Sequence, residues 1–159
     1  MEEILRLLST NARLTAAQIA EQVGRPEAEV AEAIATLEQQ GVIRGYKTVV
    51  DWEKAGIELV YGFIEVRVTP QRGLGFDAVA ARVMEFPEVH SLYLMSGTYD
   101  LMVVVQGRTM KEVALFVAEK LAPLEAVLST ATHFVLKRYK VDGDVFGERL
   151  EVKRLPVTP

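Results

Sequence analysis

Two glycines and a proline set the lengths of the helices in the first third of this chain. Thr15 and Gln18 have the spacing of a capping box, in which the hydroxyl accepts an orphan helical N–H and the amide reaches back. The helix begun there carries Ile19, Ala20 and Val23 on one side and stops at Gly24, which suits a left-handed end. Pro26 fits the first position of the next helix, where its missing N–H costs nothing, and Gly41 ends that helix. Between them Val30, Ile34 and Leu37 recur at helical spacing. Upstream, Ile4, Leu5, Leu7 and Leu8 give an apolar side to a helix over residues 2–9. After Gly41, residues 42–50 place Gly45 between two short β-prone runs and read as a hairpin. Three short helices around a tight turn, followed by a hairpin, make a winged helix-turn-helix. Residues 51–58 are a polar connection.

Beyond residue 60 the hydrophobic period changes. A strand is expected over 61–68, a loop over 69–73, and a helix over 76–86 with Val79, Val83 and Phe86 inward and Pro87 closing it. Strands over 89–95 and 101–105 flank the turn Ser96-Gly97-Thr98-Tyr99-Asp100. Thr109 and Glu112 form another capping box, opening a helix whose buried stripe is Val113, Phe116, Val117 and Leu121. A fourth strand is expected over 132–141. This order is the ferredoxin-like βαββαβ plan, an antiparallel sheet with helices on one face, so the whole is an α+β chain. The expected domains are residues 1–56, residues 57–142 and a polar tail over 143–159. Apolar residues on the sheet's open face need a partner, and Phe63, Tyr93, Met95 and Met102 contribute to one face or the other.

Composition closes several routes. The 159 residues are 50% hydrophobic, enough for real cores, and the net charge of −4 argues against a general polyanion binder. With no cysteine, disulfides, thiolate nucleophiles and thiolate metal sites are excluded. His90 and His133 alone do not make a zinc site, and no catalytic triad or phosphate loop stands out, so neither metal nor cofactor is expected. The chain opens Met-Glu-Glu and has no apolar run of bilayer length; a cytoplasmic protein without membrane association is the plain reading.

Five short signatures occur in order: Asn11-Ala-Arg13-Leu-Thr, Leu37-Glu-Gln-Gln-Gly41-Val-Ile-Arg-Gly45-Tyr46, Phe86-Pro-Glu-Val89, Gly97-Thr-Tyr99-Asp100 and Thr130-Ala-Thr132. With the folds between them, they resemble the Lrp/AsnC, or feast/famine, family of bacterial and archaeal transcription regulators, from Ile4 to about Val141. The resemblance implies a winged helix-turn-helix that binds double-stranded DNA and a RAM-type second domain. That domain would pair through its sheet into homodimers, often assembled into octamers, and bind an amino acid or similar effector between subunits. The chain begins almost at helix one, lacking part of the family's usual N-terminal lead-in, which leaves an N-terminal dimer contact an open question.

One departure bears directly on DNA. Where the family carries arginines along helix three, Glu21 to Gly41 holds five acids and one base, Arg25. Carboxylates near phosphates repel within a Debye length of about 8–10 Å. Glu32, Thr36 and Gln39 face outward with Ala28 and Ala35; a glutamate can accept from cytosine N4 and a glutamine can pair with adenine. Affinity then has to come from Arg13, Arg25, Arg44 and Lys47, with Lys54 beyond them, doubled by dimerisation. The alternative is an oligomeric effector-binding module whose winged helix is degenerate for DNA.

For the effector, Gly97, Thr98, Tyr99 and Asp100 gather donors and an acceptor at one sheet edge. Asp100 can hold an ammonium group and the backbone near Gly97 a carboxylate. An aspartate after such a glycine also commonly serves its own turn. Thr130 and Thr132 either satisfy backbone groups or line the same cleft. An enzymatic reading, drawn from haem-pathway decarboxylases sharing this double-domain plan, ranks last: the Gly97–Asp100 turn lacks the basic groups that a tetrapyrrole needs.

Overall fold

The computed structural model describes residues 1–69 and 75–147. The loop expected over 69–73 lies outside them except for its first residue, as does the tail from 148 onward. The chain divides into two compact units, Met1–Val50 and the remainder from Asp51. Among the described residues no helix is long and apolar enough to cross a membrane.

The first unit holds α1 (Glu2–Thr10), α2 (Ala16–Val23) and α3 (Glu27–Gln39). The Thr15 capping box forms in full: its Oγ1 accepts from the Gln18 N–H at 3.2 Å, and the Thr15 N–H donates to Gln18 Oε1 at 3.0 Å. Gly24 takes the left-handed conformation at φ 65° and stops α2. Pro26 sits one position earlier than expected, as the extended residue before α3, so Glu27 occupies the first helical position. Ile4, Leu8, Ile19, Ala20 and Val30 form the core of this unit, with Ile34 packed at its edge and Leu37 buried.

The hairpin expected over residues 42–50 does not form; among the described residues this segment holds no strand. Gly41 turns left-handed at φ 69°, and the Val42 and Ile43 N–H groups both donate to the Leu37 carbonyl, at 2.9 and 3.1 Å. With the Gly41 N–H on the Glu38 carbonyl at 3.0 Å, this is a Schellman stop that turns the chain back on the helix. Tyr46 completes it by donating to Glu38 Oε1 at 2.8 Å. Those bonds take the two β-prone runs out of position to pair with each other.

The second unit contains β1 (Val60–Val68), α4 (Asp77–Met84), β2 (Val89–Leu94), β3 (Leu101–Gly107), α5 (Met110–Phe116) and β4 (Val127–Phe134). The sheet is antiparallel in the order β2-β3-β1-β4, the ferredoxin-like arrangement. Along β1 burial alternates: Ile64, Val66 and Val68 pack on Val79 and Val83 of α4 and on Val113 and Phe116 of α5, while Phe63 and Arg67 face away. Gly62 lets α5 approach, because a Cβ there would stand 2.8 Å from Val113 Cγ1. A π-helical turn, Val117–Leu121, continues α5 and keeps Val117 and Leu121 buried. Phe86 lies past the end of α4 and meets Phe116 edge-on, ring centres 5.6 Å apart.

Two expectations shift. Thr109 caps α5 through the Glu112 N–H, but the Glu112 carboxylate takes the Arg108 N–H rather than that of Thr109. The fourth strand begins at Val127, five residues before the expected start, because Val127 finds Val68 across a bulge in β1. It ends at Phe134. Lys140–Val141 (β5) instead pairs with Asp144–Val145 (β6), across a turn with Asp142 at φ 49° and Gly143 at φ 98°. Asp-Gly suits the two positive φ values of such a tight hairpin. The tail expected from residue 143 therefore starts inside a hairpin.

Candidate functional site

In the first unit, α3 is the exposed helix of the turn. Ala28, Glu32, Ala35 and Gln39 are exposed along it, and Thr36 is half-buried, its hydroxyl donating to the Glu32 carbonyl at 2.9 Å. Thr36 can therefore offer only its oxygen lone pair to a base. Arg13, Arg25, Arg44 and Lys47 are all exposed, and among the described residues none forms an ion pair. The Arg13 N–H is held by Asn11 Oδ1 at 3.0 Å, and the Arg44 guanidinium lies over Gly41. Tyr46 was missed as part of this surface. Its hydroxyl ties up one of the helix's carboxylates, and its pKa is raised chiefly by that bond to Glu38, then by burial and by the Glu38 charge. The only hint in the sequence is an aromatic residue shortly after a helix-ending glycine.

In the second unit, the turn from Gly97 to Asp100 is tied to β1. The Asp100 N–H donates to the Val66 carbonyl at 3.0 Å, and its Oδ2 accepts the Val68 N–H at 2.9 Å. Arg67 Nε donates to the Thr98 carbonyl at 2.8 Å. Gly97 and Thr98 are exposed, and Tyr99 is half-buried. One oxygen of Asp100 is thus committed to the backbone, and the other has no hydrogen-bond partner among the described residues.

Thr130 and Thr132 are not brought to this turn within one chain. They sit opposite Val66 and Ile64 on the far side of β1 from β3, and Thr132 shares the helix-covered face with Gly62. Two strand spacings separate β4 from β3, about 10 Å. Within one chain the turn and the threonines are thus set on opposite sides of β1. On the opposite, open face, Phe63 pairs with Val104 and His133, and Tyr93 with Met102. His133 Nε2 lies 3.4 Å from Glu65 Oε1 there.

Comparison with known proteins agrees with both units. Residues 62–145 match the family model described as the Lrp/AsnC ligand binding domain, and residues 2–44 match the winged helix-turn-helix DNA-binding model. An HTH-type transcriptional regulator of Bacillus subtilis, YugG, is 49% identical over 99% of this chain and 95% of its own length. The chain belongs to the Lrp/AsnC family.

Other members span the same two units. The proline dehydrogenase transcriptional activator of Rhodobacter capsulatus is 30% identical over 84% of this Lrp/AsnC chain and 86% of its own. A Neisseria meningitidis transcriptional regulator solved as an L-Met complex aligns with TM-score 0.73 and 27% identity, covering 87% of this chain and 89% of that one. Escherichia coli AsnC shares the fold, with TM-score 0.70 at 24% identity over 87% and 91% of the two chains. This Lrp/AsnC chain is accordingly a DNA-binding transcriptional regulator with a ligand-binding domain, and its family is not enzymatic. A helix-turn-helix degenerate for DNA is not favoured by these relatives.

Proposed function

We propose that this regulator recognises a specific duplex sequence as a homodimer, or as an octamer of four such dimers, and responds to an amino acid bound at the Gly97–Asp100 turn. The observation that carries the DNA reading is the set of four exposed bases, Arg13, Arg25, Arg44 and Lys47, without ion-pair partners among the described residues. Phosphate contacts from these groups supply affinity, and Glu32, Thr36 and Gln39 supply the base-edge contacts. Residues 1–56 serve as the DNA-binding domain and 57–142 as the effector domain of a cytoplasmic protein. The free oxygen of Asp100 takes the effector's ammonium group, and backbone N–H groups near Gly97 take its carboxylate. Support comes from the L-Met complex of the Neisseria relative. Thr130 and Thr132 join this site only from a second subunit, since within one chain they lie across β1 from the turn.

The test is affinity selection of fragmented genomic DNA on the purified protein at low and near-physiological salt, followed by sequencing. A reproducible pseudo-palindromic site is expected. Neutralising Arg25, Arg44 or Lys47 should weaken binding to every sequence and reduce the salt slope by about one for each phosphate no longer neutralised. Recovery of salt-sensitive background without a common site would remove the specific-regulator reading.

A further inference from the structure

After the Schellman stop, the chain of the first unit is tethered at a single point. Among the described residues, Arg44 to Val50 make no hydrogen bond through the backbone and one through a side chain, from the Tyr46 hydroxyl to Glu38 Oε1 at 2.8 Å. The Tyr46 ring has a seat as well. It lines a shallow apolar hollow together with Leu8, Leu14, and Ala31, Ile34 and Ala35 of α3, and it is about half exposed.

This tether stands between two of the four exposed bases. Arg44 precedes Tyr46 by two residues, and Lys47 follows it directly. Among the described residues neither base forms an ion pair. Where their side chains leave the chain is therefore set by the segment that carries them, and the one bond that fixes this segment on α3 is that of Tyr46.

We propose that Tyr46 and Glu38 are a positioning pair for DNA: their bond holds the segment that presents Arg44 and Lys47 to the phosphates. This rests on the reading of those bases as phosphate contacts. A phosphate contact immobilises the backbone that carries it, and ordering a free segment costs conformational entropy. A segment already tethered has less freedom to lose, so the same contacts give a higher affinity. Glu38, whose charge by itself opposes phosphates, contributes through its acceptor oxygen. Neither member of the pair touches DNA; both act through Arg44 and Lys47.

The experiment is fluorescence anisotropy of a labelled mixed-sequence duplex with the full chain at low salt, where phosphate contacts supply the affinity. Glu38→Gln and Glu38→Met are compared because both remove the charge and only glutamine keeps an acceptor for the hydroxyl. Glu38→Gln is expected to bind about five-fold tighter than Glu38→Met, and the difference to vanish when Tyr46→Phe is added to each. Arg44→Gln should cost about five-fold in the parent chain but only about two-fold once Tyr46→Phe is present. An undiminished cost of Arg44→Gln in that background would make the bond a stability contact alone and overturn the positioning role. So would a loss on Tyr46→Phe that is the same whichever residue occupies position 38, since the hydroxyl would then meet DNA itself. No loss on Tyr46→Phe, with Arg44→Gln and Lys47→Gln still weakening binding, would overturn this inference and leave the phosphate-contact reading standing. If neither of those two substitutions weakens binding, or the parent chain does not bind, the phosphate-contact reading falls and the inference with it.

Discussion

Asp100 holds the β1 backbone through one oxygen and, in the function proposed above, an effector's ammonium through the other, and substitutions can separate the two. Its Oδ2 accepts the Val68 N–H, so alanine would leave that donor without its partner, at a cost of about 1–3 kcal/mol. Asparagine keeps an acceptor oxygen and removes the charge. Asp100→Asn should therefore preserve the urea midpoint while abolishing any amino-acid-dependent change in assembly, measured by sedimentation with and without effector. A retained response would remove the ammonium-binding role. Glu88 is a second carboxylate with a legible duty. Its hydrogen bond from Lys120 lowers its pKa below the ordinary 4.5, outweighing burial, which acts in the other direction. A carboxyl depressed in the folded state stabilises the fold above its unfolded pKa and loses that contribution as pH falls through the folded one. Lys120→Met should thus make the drop in urea midpoint on acidification below pH 4.5 shallower than in the parent chain. An unchanged acid limb would mean that the pair adds nothing to stability.

Among the elements, β1 and α5 meet where Gly62 leaves room. A methyl group there would stand 2.8 Å from Val113 Cγ1 and 3.3 Å from Val105 Cγ2, both in the core. Gly62→Ala should lower stability by about 1–3 kcal/mol, read from denaturant unfolding, with the fold retained. An unchanged midpoint would show that α5 can retreat freely. How far such elements could be read from the chain depended on whether their signals were local. The stops at Gly24 and Gly41, the Thr15 capping box and the stripe from Val113 to Leu121 were all legible, since each lies within a few residues of sequence. The start of β4 was not, because the alternation at Leu128-Ser-Thr130-Ala-Thr132 is polar and its partner Val68 is distant in sequence. The Asp142-Gly143 hairpin was legible as a turn but hidden as strands, each only two residues long. The absent hairpin over 42–50 failed for a third reason. Gly45 invited a local turn, but the Leu37 carbonyl and the Glu38 carboxylate hold the flanking chain instead.

At the scale of the whole molecule, charge is distributed against the first expectation for a DNA binder. The acids concentrate between Glu21 and Gly41, and the exposed bases stand around them at Arg13, Arg25, Arg44 and Lys47. Which side of α3 faces outward was legible, because helical period alone decides it. The faces of the second unit were less so: a sheet assigns them by register, which put Thr132 on the helix-covered side with Gly62. Only pairing between strands could bring Phe63 and Val104 together on the open face. The stretch after the Schellman stop has a further consequence. From residue 44 to 50 no backbone N–H donates to another backbone group among the described residues. Amide protons there have no local bond to break before they trade with water, so deuterium should enter this stretch at nearly the rate of an unstructured peptide. The boundary between the two units at Val50 and Asp51 would then appear, in an exchange map, as a fast band between two slow ones.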